Sequence, residues 1–387
     1  MPQSFDVIVI GLGAVGAATA YQLAKSGARV LGLDRYAPPH DLGSTHGETR
    51  ITRLACGEGI EYTPFARRSH EIWRALERET GESLLVQNGL LVISGAGERA
   101  AAHGNPDFLQ TTIDAAEAHG VAHERLSEAD IRQRFPAFAI ADGDTGYFEP
   151  EAGYVFPERC VSVQLRLARQ LGAMLHVHET ALDFTCDNNG VRVVTDKGEY
   201  RADRLVLAAG PWLPKLVGQQ AEVFTVRRQV LFWFRLREDA TRAAHNPERF
   251  PVFYWQVPRR QAIYGFPSID GGCTIKLATE QYETEADPDT VDRNVSANEV
   301  RAMYADYVAP FFHGVSGTCE RSAACLYTCT DQARFIVDVL PEAPRVIVAS
   351  PCSGHGFKHS AALGEAIAQL ASGAQTALEL SPFRLQV

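Results

Sequence analysis

No stretch of this 387-residue sequence reaches the roughly 20 consecutive apolar residues that a membrane-spanning helix needs. The apolar run near the amino terminus is cut by glycines and carries no basic n-region, and Leu385-Gln386-Val387 is not a peroxisomal address. A cytoplasmic protein without a membrane partner is therefore expected. Positive charge is also scarce: 37 Lys and Arg face 47 Asp and Glu, for a formal net charge of −10. Without a basic surplus to meet a phosphate backbone, no nucleic acid partner is expected, and a small-molecule substrate fits better. The eight cysteines, Cys56, Cys160, Cys186, Cys273, Cys319, Cys325, Cys329 and Cys352, include no CxxC pair, so each reads as a reduced, often buried thiol and no metal site is expected. Internal repeats and long low-complexity linkers are lacking too. What remains is a chain of 45% hydrophobic composition, long enough for two cores at roughly 100–200 residues per domain.

The most informative segment comes first. Phe5-Asp6-Val7-Ile8-Val9-Ile10 is a β-branched apolar run suited to a strand buried on both faces, and it leads directly into Gly11-Leu12-Gly13-Ala14-Val15-Gly16. In such a GxGxxG turn, Gly11 permits the tight bend, Gly13 leaves room for a pyrophosphate, and Gly16 lets the next helix pack on the strand. A helix over Ala17–Ser26, stopped by Gly27, is followed by a strand over Arg29–Leu33 that ends at Asp34. An acid there accepts hydrogen bonds from ribose hydroxyls and repels a 2′-phosphate. A lone glycine motif is weak, but strand, turn, helix, strand and acid agree on a dinucleotide site. FAD and NAD fit it equally. Arg204–Gly210 reads as a further buried strand entering a small-residue turn, consistent either with a cofactor approach or with a plain strand-to-helix connection.

Helical periodicity runs over 64–80, 107–119, 158–171 and 360–371, and strand-like runs over 89–93, 181–185, 191–195, 229–235, 262–266, 273–277 and 345–349. Helices and strands alternate at both ends, while the middle is richer in strands. This predicts an α/β protein with a Rossmann-type dinucleotide domain assembled from 1–85, 150–220 and 325–387, and an inserted sheet-rich substrate domain from 86–149 and 221–324. The acidic positions from Glu280 to Asp292 read as a solvated loop.

Four further motifs carry a resemblance: Gly43-Ser44-Thr45-His46-Gly47-Glu48-Thr49-Arg50-Ile51-Thr52-Arg53, Tyr264-Gly265-Phe266-Pro267, Ala324-Cys325-Leu326-Tyr327-Thr328 and Ser353-Gly354-His355-Gly356-Phe357-Lys358. With these, nearly the whole chain resembles the monomeric sarcosine oxidase family, which includes N-methyltryptophan oxidase and pipecolate oxidase. The resemblance implies FAD joined through its 8α-methyl group to Cys325, with Cys329 as the competing anchor outside the matched position. It implies cofactor contacts from Gly11, Gly13, Gly16, Asp34, Ser44, Arg50, Gly354 and Lys358. It places the substrate carboxylate on Arg53 and Lys358, a guanidinium fork and an ammonium that together suit one carboxylate. Lys276 matches the lysine at which the family activates O2, where a positive charge stabilises developing superoxide. His46, Arg50, Tyr264, Tyr327 and His355 would line or support the active site. A monomer is implied.

Three positions depart from the family pattern. Tyr254, followed by Trp255, replaces a methionine of the substrate lid; Glu280 stands where a pocket histidine is expected; and Thr45 stands where a histidine is usual. They leave open which amine is oxidised more than whether flavin chemistry occurs. The implied reaction is oxidation of a small secondary amino acid, sarcosine or another N-methyl amino acid, to an imine that water hydrolyses, with O2 reduced to H2O2. The alternatives are a cyclic substrate such as pipecolate or proline, a flavin dehydrogenase with another electron acceptor, and a non-catalytic flavin redox sensor.

Overall fold

The computed structural model describes residues 4–97, 101, 103, 105–239 and 242–385. The first strand, Ser4–Ile10, pairs in parallel with Val30–Asp34 on one side and with Glu199–Leu207 on the other. Met174–Val177 extends the sheet beyond Val30–Asp34, and Ala343–Ser350 runs parallel to the end of Glu199–Leu207. Over Val7–Ile10 alternate residues enter two different cores, Val7 and Val9 one, Ile8 and Ile10 the other, which Phe5 joins. A sheet buried on both faces explains why the strand reads as an unbroken apolar run. Each fully buried Ile, Leu or Val contributes about 1.5–3 kcal/mol.

The core with Val7 and Val9 is completed by the helices Ala14–Lys25, Thr63–Thr80, Pro157–Gln170 and Ser360–Ala371. The first and last of these approach closely because Gly364 lies against Ala18, where a Cβ would come within 2.3 Å of the Ala18 Cβ. The first strand-turn-helix unit is the expected one, with the helix beginning three residues earlier than periodicity suggests, at Ala14.

A second sheet of eight strands has the order Val315–Cys329, Thr225–Leu236, Thr274–Thr279, Ile263–Phe266, Val252–Gln256, Leu90–Ser94, Thr145–Glu149 and Glu124–Leu126. Its pairings are antiparallel except between Val252–Gln256 and Leu90–Ser94. A small sheet of Arg50–Thr52, Gly153–Val155 and Leu85–Val86 lies beside the site. The architecture is thus α/β, with a Rossmann-type sheet of eight strands whose central strands are parallel and whose flanking strands Ala181–Asp187, Gly190–Thr195 and Ile336–Leu340 pair antiparallel, and a sheet-rich middle. Among the described residues no helix is long and apolar enough to cross a membrane, and no His, Cys, Asp and Glu group could hold a metal ion.

Candidate active site

The parallel strands end at a cavity of about 430 Å³, lined at those ends by Ile10, Leu33, Asp34, Ala208, Ala349 and Ser350. Carboxyl ends of parallel strands are where open α/β sheets bind ligands. Gly11 has φ +88°, and a Cβ on it would sit 2.4 Å from the Ala208 carbonyl oxygen; a Cβ on Gly16 would strike the Gly11 carbonyl. The turn therefore closes only with glycine at both positions. Gly13 lines the cavity at the start of the helix Ala14–Lys25, whose free N–H groups suit a pyrophosphate. Asp34 accepts the Leu12 and Tyr36 N–H groups at 2.8 Å each, which fixes its carboxylate at the ribose end. Ser350 buries a hydroxyl without a hydrogen-bond partner among the described residues. The glycine cradle, the fixed acid and the unpartnered hydroxyl fit a dinucleotide such as FAD.

A second cavity of about 60 Å³ shares Arg50, Tyr327, Gly354 and Phe357 with the first. Arg53, His355, Lys358, Tyr254 and Tyr264 also line it. Here Arg53 and Lys358, each 3% exposed, converge as expected, but on an internal partner: Glu58 Oε1 accepts from Arg53 Nη2 at 2.7 Å and from Lys358 Nζ at 2.9 Å. His355 Nδ1 and His103 Nε2 lie 3.5 and 3.9 Å from the same oxygen. Burial opposes the charge of Glu58, but Arg53, Lys358, His355 and His103 overcome it and hold its carboxyl well below the usual carboxylate range. Burial lowers the Lys358 ammonium, with Glu58 opposing. Tyr264 and Tyr327 pair through their hydroxyls at 3.2 Å.

Cys325, buried on the strand Val315–Cys329, has its Sγ 3.6 Å from Arg50 Nη2 and 3.5 Å from the Ser44 carbonyl. Burial raises its thiol and Arg50 pulls it back. Arg50 also donates to the Ser44 carbonyl at 3.0 Å, tying the Gly43–Thr49 loop to the cysteine. Lys276 and His46 lie outside the small cavity. Lys276 Nζ donates to the Gly47 and Thr49 carbonyls at 2.7 and 2.6 Å, over the Phe266 ring at 3.8 Å. Burial, helped by Arg50, pushes its ammonium well below the ordinary lysine value. His46 is lowered to about 4 by burial and then by Arg50.

The structure refines two sequence expectations. Tyr254 and Trp255, for which the sequence left a lid position open, sit inside the strand Val252–Gln256, so their consecutive side chains point to opposite faces. Tyr254 faces the small cavity, and Trp255 packs on Phe311 and Phe138. The acidic segment is an exposed loop at Glu283, Glu285, Asp287, Asp289 and Asp292, as expected, but not at its start. Glu280 is 7% exposed and lines the small cavity, while Asp289 accepts from Trp212 Nε1 at 2.7 Å, Lys215 Nζ at 2.5 Å and Arg35 Nη1 at 2.8 Å across the mouth of the large one. The Lys215 contact leads in lowering Asp289 to about 2.

Sequence reasoning missed Glu58, His103 and Glu149. Glu149, fully buried, accepts the Leu54 and Ala55 N–H groups at 2.6 and 3.2 Å and the Tyr147 hydroxyl at 2.8 Å, anchoring the chain just after Arg53. An acid between two glycines five positions after Arg53 was the available signal for Glu58.

Residues 6–370 match the family described as FAD dependent oxidoreductase. The chain is 37% identical to monomeric sarcosine oxidase of Bacillus sp. (strain B-0618), over 100% of this chain and 96% of that one. It is 32% identical to N-methyl-L-tryptophan oxidase of Salmonella heidelberg (strain SL476), with 98% of each chain covered. Among solved structures, NikD, an unusual amino acid oxidase essential for nikkomycin biosynthesis, superposes with a TM-score of 0.83 at 24% identity, covering 99% of this chain and 98% of that chain, a likeness of fold. Matched along its whole length and carrying the dinucleotide cradle that such chemistry needs, the chain belongs to the FAD dependent oxidoreductase family, in the group that contains the monomeric sarcosine oxidases and N-methyl-L-tryptophan oxidase.

Proposed function

We propose that the protein oxidises a small secondary amino acid, sarcosine or another N-methyl amino acid, at the carbon next to nitrogen, using FAD and O2 and acting as a monomer. The observation that carries this reading is the pair Arg53 and Lys358, both within 2.9 Å of one buried carboxylate oxygen in a chamber that opens on the cofactor cavity. A place that already holds one carboxylate, that of Glu58, is suited to hold the carboxylate of an amino acid that displaces it. The chamber's size of about 60 Å³ favours a small substrate.

FAD would be held by Gly11, Gly13, Gly16, Asp34, Ser44, Arg50 and Gly354, and when bound it supplies a two-electron acceptor that O2 reoxidises, with release of H2O2. Cys325, whose Sγ lies 3.6 Å from Arg50 of the cavity wall, would carry the covalent attachment. Arg53 and Lys358 orient the substrate by its carboxylate, so that positioning is the main contribution. Tyr254, Tyr264 and Tyr327 wall the amine end and exclude water, and His355 supports Lys358, whose Nζ donates to the His355 carbonyl at 2.9 Å. Arg50 supplies the fixed positive charge on which oxygen reduction draws, and Lys276, held by the Gly47 and Thr49 carbonyls, stands beside it as a donor toward developing negative charge, with His46 a neutral imidazole next to them.

The test is an anaerobic titration of the purified protein with sarcosine, N-methylated amino acids, pipecolate and proline, together with acid precipitation. Bleaching by an N-methyl amino acid and a yellow pellet are expected. A flavin that no amine bleaches would overturn the amine reading, bleaching by the cyclic amino acids alone would reassign the substrate, and a colourless pellet would remove the covalent link.

A further inference from the structure

An amino acid bound by its carboxylate still brings a proton that must leave. The free amine of such a substrate titrates near the lysine range, about 10, so at neutral pH it arrives as an ammonium. A C–H bond beside an ammonium does not give up a hydride, because the nitrogen has no free electron pair to share with the carbon. The chamber must therefore hold a proton acceptor at its amine end.

The groups facing that chamber can be sorted. Glu58 is a poor base, since two cations and two histidines hold its carboxyl low, and it sits at the carboxylate end. His355 has Nε2 directed at the Ala333 carbonyl at 2.8 Å, and its Nδ1 faces Glu58. Arg53 and Lys358 are committed to the carboxylate. The hydroxyls of Tyr254, Tyr264, Tyr282 and Tyr327 are all pushed above their ordinary value, by burial first, so they are donors. Each of the four also feels the charge of Glu280, as does Cys329, whose thiol burial raises to about 12.

Glu280 is what remains. It lies just past the strand Thr274–Thr279, 7% exposed, on the chamber wall, and no Lys or Arg hydrogen bond to it is seen among the described residues. Its Oε2 accepts from the Tyr254 hydroxyl at 2.9 Å, and its Oε1 lies 3.0 Å from His103 Nε2. His103 Nδ1 is in turn 3.1 Å from the Tyr282 hydroxyl. A buried carboxylate backed by an imidazole and a phenol is a relay that can take a proton without creating an isolated charge.

Resting on the amine-oxidation reading above, we propose that Glu280 is the proton acceptor for the bound substrate ammonium, with His103 as the positioning and relay residue behind it. In this step one N–H bond breaks and leaves its electron pair on nitrogen, while one O–H bond forms on Glu280, or one N–H bond on His103 after relay. Nothing is oxidised or reduced, and net charge is conserved. The proton returns to solvent when product leaves. The chamber is thus bipolar, with Arg53 and Lys358 at one end for the carboxylate and Glu280 at the other for the ammonium. This selects zwitterionic amino acids over simple carboxylates.

The experiment follows two readouts on the FAD-loaded enzyme. The first is the anaerobic rate of flavin reduction at low sarcosine from pH 6 to 9. In the wild type the rate is expected to vary little, because the zwitterion itself is the reacting species. In Glu280→Gln only the neutral amine reacts, so the rate should climb about tenfold per pH unit. Glu280→Asp should restore part of the plateau, and His103→Gln should lower it without giving the full slope. An E280Q profile parallel to the wild type overturns the proposal. The second readout needs no turnover: binding of N,N,N-trimethylglycine, whose quaternary nitrogen is permanently cationic, against 3,3-dimethylbutanoate, which keeps the carboxylate and has an uncharged carbon in place of that nitrogen, read from the flavin spectrum. A preference of about tenfold or more for the cation is expected from a carboxylate at the amine end, to be levelled in E280Q. Equal binding to the wild type overturns the proposal even if E280Q does not fold. If no amine bleaches the flavin but the cation preference stands, it is the amine-oxidation reading that fails.

Discussion

Replacing Glu58 by Gln keeps the side chain's shape and removes the one charge that holds Arg53 and Lys358 together. At 2.7 and 2.9 Å, each ion pair is worth about 6 kcal/mol of Coulomb attraction at an effective dielectric near 20. Desolvation of three charges offsets much of this, and removing one partner of a buried pair generally costs about 3–5 kcal/mol. Lys358, whose ammonium burial already lowers, can shed its proton in the variant, which favours the lower figure, about 3 kcal/mol. The variant should therefore melt several degrees below the wild type in calorimetry. The same 3 kcal/mol is no longer spent on an internal competitor, so a simple carboxylate such as acetate should bind E58Q more tightly by up to about 100-fold, and adding it should recover most of the lost melting temperature. The sign with pH follows from the depressed carboxyl of Glu58: its stabilisation is complete above the unfolded glutamate value of about 4.3 and is lost as pH falls through the folded one. The gap between wild type and variant should close in acid. An unchanged melting temperature at pH 7 together with unchanged acetate affinity would refute the reasoning.

Lys276→Met should slow reoxidation of reduced flavin by O2 about 100-fold, the scale of removing one preorganised electrostatic group, while leaving anaerobic reduction by substrate much less affected; stopped-flow measurement of both half-reactions decides it, and equal losses would remove Lys276 from the oxygen step. Cys325→Ser should shift the flavin from the acid-precipitated pellet to the supernatant, whereas Cys329→Ser should leave it in the pellet. Glu149→Ala leaves the Leu54 and Ala55 amides and the Tyr147 hydroxyl without their acceptor, which should cost about 3 kcal/mol or more in denaturant unfolding; because the lost anchor adjoins Arg53, KM should rise more than kcat falls.

The dinucleotide cradle was legible in the sequence because each of its parts is local: Gly11 and Gly16 answer to contacts within one strand-turn-helix unit, and Asp34 ends the next strand. The helices over 63–80 and 360–371 show in their periodicity for the same reason. The strand Val315–Cys329 was not predicted, since its first two-thirds, with Gly317, Glu320, Arg321 and Ser322, is largely half-exposed or exposed and shows no clean alternation. Arg53 and Lys358 came from the resemblance, and the structure adds what stands between them. Glu58 looks like an ordinary polar loop residue because its meaning depends on Lys358, 300 positions away. Glu149, in Glu149-Pro150-Glu151, reads as a turn acid until the fold brings Leu54 and Ala55 to it. Composition put Glu280 in a solvated stretch while the resemblance put it at a pocket position, and the pocket is right: composition reports the neighbourhood along the chain, whereas burial is decided by His103 and Tyr254 across it.

The contacts of Asp289 with Trp212, Lys215 and Arg35 across the mouth of the large cavity carry a consequence for timing. Its cationic partners are about a third or more exposed, so these are weak bonds that salt screens and that open readily one by one. Acting together they form a latch between a segment leaving the second sheet and the first sheet's own strand ends. A dinucleotide reaches its site behind such a latch no faster than the latch opens, and a newly made chain takes its cofactor most easily before the two sheets have closed on each other. Loading then belongs to the order of folding events as much as to affinity. A protein purified without its full complement of flavin should fill its remaining sites slowly, and faster at high ionic strength.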